Sequence, residues 1–137
     1  MLNDYDFSCY IIKYDRPSIN GKTYKKDSLK NNDGTIVPLL WNHDHYAATM
    51  VLGQVLLEHR DDGVYIYGKF NDSKVGKEAA LLLSDDSSLT VWVSPYINKV
   101  KIDEKYILGG IICEVSLVLD RCDPDDAYIP KIVKEKT

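Results

Sequence analysis

Only one stretch of this chain, Asp72 to Ser84, spaces its apolar residues as a helix does, with Val75, Ala79, Leu82 and Leu83 recurring on one face. Asn71, Asp72 and Ser73 stand ready to cap its free N–H groups. Everything else with apolar character is short and β-like. Phe7 to Tyr14 mixes aromatic and β-branched residues and stops at Asp15-Arg16-Pro17, and Thr35 to Trp41, Met50 to Glu58 and Val64 to Phe70 are three further runs. Asp61-Asp62-Gly63 between the last two is a strong hairpin signal. Beyond the helix, Leu89 to Ile102 and Ile111 to Leu119 return to strand composition around a polar turn at Asp103-Glu104-Lys105, with Gly109-Gly110 marking a bulge or bend. Asn20-Gly21 supplies a turn, and Lys26 to Lys30 is expected to form one short polar helix.

Six or seven strands with a single mid-chain helix disfavour a βαβ array. They predict a mostly β (α+β) domain, a small antiparallel barrel or bent sheet with one main helix and one or two short helices packed outside. At 137 residues and 45% hydrophobic, the chain can bury one modest core, so residues 1–137 are expected to form a single domain with 130–137 as a flexible tail.

Charge narrows the function. Seventeen basic against twenty-one acidic side chains leave a net charge of -4, which argues against phosphate neutralisation and hence against nucleic acid as partner. No apolar run approaches the ~20 residues that cross a bilayer, and Met1-Leu2-Asn3-Asp4 lacks the profile of a secretory signal. Cys9, Cys113 and Cys122 are odd in number and without Cys-x-x-Cys spacing, as suits a reducing compartment. The expectation is an intracellular protein with no membrane partner.

Three places hold chemistry. Histidine is scarce, and two of the three, His43 and His45, flank Asp44 directly after an apolar strand, whereas His59 stands alone. A histidine at a strand end reaches solvent while the sheet fixes its backbone, as a general base requires; a pair of loop histidines at the surface is the plain alternative. Zinc through His43 and His45 is the weaker reading, because no second ligand pair has usable spacing. Next, Ser84 to Ile97 carries five serine or threonine side chains. Ser94, between Val93 and Pro95-Tyr96, is the one whose apolar setting asks for a reason, although an edge-strand serine bonded to backbone would also answer. Last, alternation along Cys113 to Val118 puts Glu114 and Ser116 on one face of a strand. A carboxylate there is costly unless paired, with a histidine or with one of the many lysines.

Taken in order, Val37-Pro38-Leu39-Leu40-Trp41-Asn42-His43-Asp44, Gly53-Gln54-Val55, the helix, the Ser94 strand, Glu114-Val115-Ser116-Leu117-Val118 and Asp125-Asp126-Ala127-Tyr128-Ile129 resemble the tailed-phage prohead protease family over roughly Phe7 to Ile129. Asn20-Gly21-Lys22-Thr23-Tyr24 resembles an early segment of some members. The resemblance implies a serine endopeptidase acting inside the immature phage head in the host cytoplasm. Its substrates would be scaffolding protein or a scaffold-like segment of the major capsid protein, and often itself. It also implies a β-barrel similar to that of the herpesvirus maturation protease, a homodimer or higher homo-oligomer, and no cofactor or metal.

Carried over by motif, His43 is the general base, a hydroxyl after the helix the nucleophile, and Glu114 the orienting third member. The family's Leu-Ser-aliphatic-Gly-aromatic run is altered here, since no glycine follows the serine. Val93-Ser94-Pro95-Tyr96 lies best on that run and makes Ser94 the nucleophile; Leu89-Thr90-Val91-Trp92 offers Thr90 as rival, with Ser88 a distant third. No motif names the oxyanion donors, and Arg121 is a guess. The missing glycine also supports an alternative, an inactive head-assembly module that binds scaffold or capsid protein without cutting it.

Overall fold

Asp61 and Asp62 close a two-residue hairpin, with Arg60 paired to Gly63, and the two strands it joins run in unbroken antiparallel register to Gly53 and Phe70. Around this hairpin the computed structural model, which describes residues 4–17, 21–44, 51–84, 91–118 and 131–132, builds a single sheet. Its strands are β1 (Phe7–Lys13), β2 (Thr23–Tyr24), β3 (Ile36–Trp41), β4 (Gly53–Arg60), β5 (Gly63–Phe70), β6 (Trp92–Asp103), β7 (Tyr106–Val118) and β8 (Lys131–Ile132). The order is β2-β7-β3-β4-β5-β1-β8, with β6 on the other side of β7. Contacts between β1 and β6 bring the ends of the sheet together into a nearly closed barrel. The mostly β architecture is as the sequence predicts: the described residues form six long strands, two of only two residues, and the helix α1 (Lys74–Ser84).

The core lies inside the curl of the sheet, where Phe7, Ile11, Leu39, Val55, Ile66, Val93, Val115 and Leu117 are fully buried. Phe7 pairs with Gly68, and a Cβ on that glycine would sit 2.2 Å from the Phe7 ring, so the ring depends on a residue with no side chain. Helix α1 begins where Ser73 Oγ accepts the Gly76 N–H at 3.1 Å, and Asn71 Oδ1 in turn accepts from the Ser73 backbone. One face of it, with Trp41 and Leu52, lines an open pocket of about 260 Å³.

Three expectations need correction. The sheet is not purely antiparallel, because β3 and β2 both run parallel to β7. The short helix expected at Lys26–Lys30 is a 3-10 turn at Lys30–Asn32, displaced because Leu29 is drawn fully into the core and Asn32 is buried behind it. β7 starts at Tyr106 rather than Ile111, since Gly109-Gly110 is absorbed within the strand. Opposite Gly110, β6 carries an extra residue around Lys99, whose φ is 51°, so the glycines mark a bulge, as the sequence suggests. Lys131 and Ile132, within the segment expected as a tail, pair with Ser8 and Phe7.

β7 is served along one edge by three different elements. β2 pairs with Tyr106 and Ile107, and β3 with Val115 to Leu117. Between them the buried Asn32 side chain acts in place of a strand: Nδ2 donates to the Gly110 carbonyl at 3.1 Å and Oδ1 accepts the Ile112 N–H at 2.9 Å. A long central strand thus keeps its backbone groups satisfied.

Candidate active site

Three neighbouring strands, β3, β7 and β6, carry the residues that the sequence singles out. The antiparallel register sets Ser94 of β6 directly opposite Ser116 of β7, and Tyr96 opposite Glu114. Period-two alternation then puts Ser94, Ser116 and Glu114 on one face while Val93, Val115 and Leu117 enter the core from the other. On the far side of β7, Leu40 and Trp41 pair in parallel with Ser116 and Leu117, which delivers the residue after β3 to the same face.

The chain turns sharply there. Asn42 and His43 both have left-handed backbones, with φ of 51° and 56°, and the Asp44 N–H returns to the Trp41 carbonyl at 3.0 Å. Two consecutive residues of positive φ inside an i to i+3 hydrogen bond make a type I′ turn, a geometry that suits Asn at its first central position and Gly at its second. Here the second position is His43. The turn is tied to β7 by the Asn42 N–H on the Leu117 carbonyl at 3.0 Å and the His43 N–H on Ser116 Oγ at 2.9 Å.

The imidazole of His43 lies between an alcohol and a carboxylate. Nδ1 is 2.5 Å from Glu114 Oε1, and Nε2 is 3.2 Å from Ser94 Oγ. Because a carboxylate only accepts, Nδ1 carries the proton in this arrangement, leaving the Nε2 lone pair to receive the Ser94 O–H. The second oxygen of Glu114, Oε2, accepts the Ser116 hydroxyl at 2.8 Å. Ser94 and Ser116 are fully buried and Glu114 is 3% exposed, so this polar series has little competition from water. The His43 side chain, 27% exposed, is where it meets the surface. Tyr96, half-exposed, stands beside it with ring centroids 6.4 Å apart.

The sequence-derived candidates His43, Ser94 and Glu114 are therefore brought together. Glu114 meets a histidine, and Ser94 meets the ring. His45, Ser88, Thr90 and Arg121 lie outside the described residues. His59 sits at the end of the barrel away from His43, with Nε2 3.0 Å from Asp27 Oδ1. Among the described residues no group of three or more His, Cys, Asp or Glu side chains is arranged to hold a metal ion, and both ring nitrogens of His43 are engaged by Glu114 and Ser94. Two features of the site escape sequence reasoning. The left-handed turn has only Asn42 as its signal, and the double contact of Ser116 has none beyond its sharing a face with Glu114. No family model matches the chain, nor does any curated protein or solved structure.

Proposed function

We propose that this chain is a serine endopeptidase of the prohead type, cutting scaffold or a scaffold-like segment of a phage major capsid protein, and itself. The observation that carries the reading is a single imidazole within hydrogen-bond reach of a buried serine on one nitrogen and a buried carboxylate on the other. The order of motifs along the chain supports the substrate class.

In this reading His43 Nε2 takes the Ser94 proton as Oγ attacks the scissile carbonyl. The resulting imidazolium is held by Glu114 and gives its proton to the departing amine. Water, deprotonated in turn by His43, attacks the acyl-enzyme, and Ser94 leaves with its proton restored. No step asks Glu114 to change protonation; its charge stabilises the imidazolium and its position selects the tautomer. A homodimer or higher homo-oligomer inside the immature head belongs to the same proposal.

The alternative, a head-assembly module without activity, draws on Pro95 standing where the family places its aliphatic-Gly pair and on the complete burial of Ser94. A fluorophosphonate probe followed by peptide mapping separates the two. Covalent label on Ser94, lost in Ser94→Ala, and cleavage of capsid or scaffold protein by wild type alone are the expected results. Label on Thr90 would transfer the nucleophile there, and an unlabelled protein that still binds scaffold would favour the module.

A further inference from the structure

Ser116 places a single hydroxyl against both the backbone of His43 and the Glu114 carboxylate behind its ring. The backbone N–H of His43 can only donate, so Ser116 Oγ accepts from it at 2.9 Å. The ionised carboxylate can only accept, so the Ser116 proton points at Glu114 Oε2, 2.8 Å away. The direction of both bonds is thus settled by chemistry. Alanine at 116 would leave the His43 N–H without this acceptor and the carboxylate without this donor.

We propose that Ser116 is a positioning residue, which holds the left-handed His43 turn against β7 and fixes the plane of the Glu114 carboxylate so that Oε1 faces Nδ1. The proposal rests on the serine-hydrolase reading of the site and adds a fourth member to it. Its physical need is plain. A glutamate reaches His43 through three rotatable bonds, and one hydrogen bond to one oxygen leaves the carboxylate free to swing about the other. A second bond to the second oxygen removes that freedom. The His43 turn likewise carries two consecutive residues of positive φ, a conformation that persists when its neighbours hold it. Ser116 is fully buried on the middle strand of the three and directly opposite Ser94, so it supports both partners of the ring without standing between them.

The test is a cycle of Ser116→Ala, Glu114→Ala and the double variant, read by the inactivation constants of a fluorophosphonate at Ser94. Ser116→Ala removes volume rather than adding it, and so is expected to fold. In the wild-type background it should lower the maximal inactivation rate about 10- to 100-fold, the scale of a misplaced catalytic group, with the probe's apparent affinity within twofold. In the Glu114→Ala background most of that effect should vanish, because the group it positions is gone. An equal effect in both backgrounds, or none in either, overturns the positioning role.

The imidazole N–H proton signal gives a readout independent of activity. The Nδ1–H between His43 and Glu114 should resonate far downfield in wild type and move upfield or broaden away in Ser116→Ala. A signal in the same place in both proteins overturns the proposal even if Ser94 labels normally. Failure of wild-type protein to take label at Ser94, with the proton signal still dependent on Ser116, would instead overturn the hydrolase reading and leave the positioning intact.

Discussion

The backbone of His43 permits a test whose sign runs against ordinary expectation. Glycine in a regular position costs about 0.5–1 kcal/mol relative to alanine, because the unfolded chain loses more freedom. At φ 56° the order should reverse. A Cβ in the left-handed region crowds the following carbonyl by about 1–2 kcal/mol, and glycine escapes this. His43→Ala and His43→Gly both remove the ring from Ser94 and from the buried Glu114, so the loss of those partners cancels between them. What survives is the Cβ: about 1–2 kcal/mol of strain less glycine's entropic cost leaves His43→Gly the more stable by roughly 1 kcal/mol.

Equilibrium urea unfolding followed by tryptophan fluorescence resolves this. With a slope of about 1–3 kcal/mol per molar for a domain of this size, the midpoints should differ by about half a molar. The same pair of substitutions at Gln54, exposed on β4 and not among the residues of positive φ, should favour alanine. If His43→Ala proves as stable as His43→Gly or more so, the turn is not strained at this residue, and the argument that the fold sacrifices stability to aim the ring fails.

Glu114→Gln keeps the shape of the side chain but not its charge, and should slow labelling of Ser94 by about 10⁴-fold through the wrong tautomer and an unsupported imidazolium, with unfolding little changed; a loss under tenfold would remove Glu114 from the mechanism. Asn32→Ala leaves the Ile112 N–H without its partner and the Gly110 carbonyl with only the longer bond from Asn31 Nδ2 at 3.4 Å, and should cost about 1–3 kcal/mol in urea, whereas Asn32→Asp should fail to rescue because a carboxylate cannot donate to Gly110; a cost below about 1 kcal/mol would show that β7 does not need this bridge. Burial pushes the Tyr14 phenol up to about 12, so folding holds its proton more tightly than the unfolded chain does. The stability this contributes is complete below pH 10, the ordinary value, and drains away between pH 10 and about 12; Tyr14→Phe should flatten that alkaline limb, and an unchanged limb would assign it to other groups.

What could be read from the residues follows the range over which each signal acts. The Asp61-Asp62 hairpin and helix α1 are legible because a turn pair and a 3.6-residue period are local. The start of α1 comes two residues later than the apolar spacing suggests, since Ser73 takes the cap and Asn71 braces it. β2 is too short to carry a pattern and exists only because β7 offers it an edge. The parallel pairing of β3 with β7 has no local signature either, although it is what delivers His43 to Ser94 and Glu114. Gly109-Gly110 announces the bulge that the structure shows, but not that β7 runs through it back to Tyr106, because a glycine pair carries no signal of what pairs beyond it. Asn32 passes for a polar loop residue until the gap that it fills is seen. At the site, residue type and motif order point to His43, Ser94 and Glu114, which the structure brings together, while the rivals Thr90 and Ser88 lie outside the described residues. Ser116 remains an ordinary alternating serine until its partners are known.

Among the described residues two kinds of ionic group stand in contrast, and the difference bears on the proposed function. On the outer face of β1, β4 and β5, Tyr10 and Lys13 meet Asp62, while Arg60 and Tyr67 meet Glu58. The paired charges there are 27–58% exposed, so they remain solvated and each contributes little. Their physics is that of a surface. Glu114, at 4% side-chain exposure, has surrendered its water, and the His43 ring and the Ser116 hydroxyl offset that cost. Beside it lie two fully buried serines on strands whose inward neighbours are valine and leucine, and a histidine in a turn that glycine would occupy with less strain. Fold stability supplies no reason for any of these choices, since valine or leucine would fill the same strands without the desolvation. Four locally unfavourable choices meet on one face of three adjacent strands, bonded to one another, and this concentration is what the proposed hydrolase site requires and a surface ion pair does not.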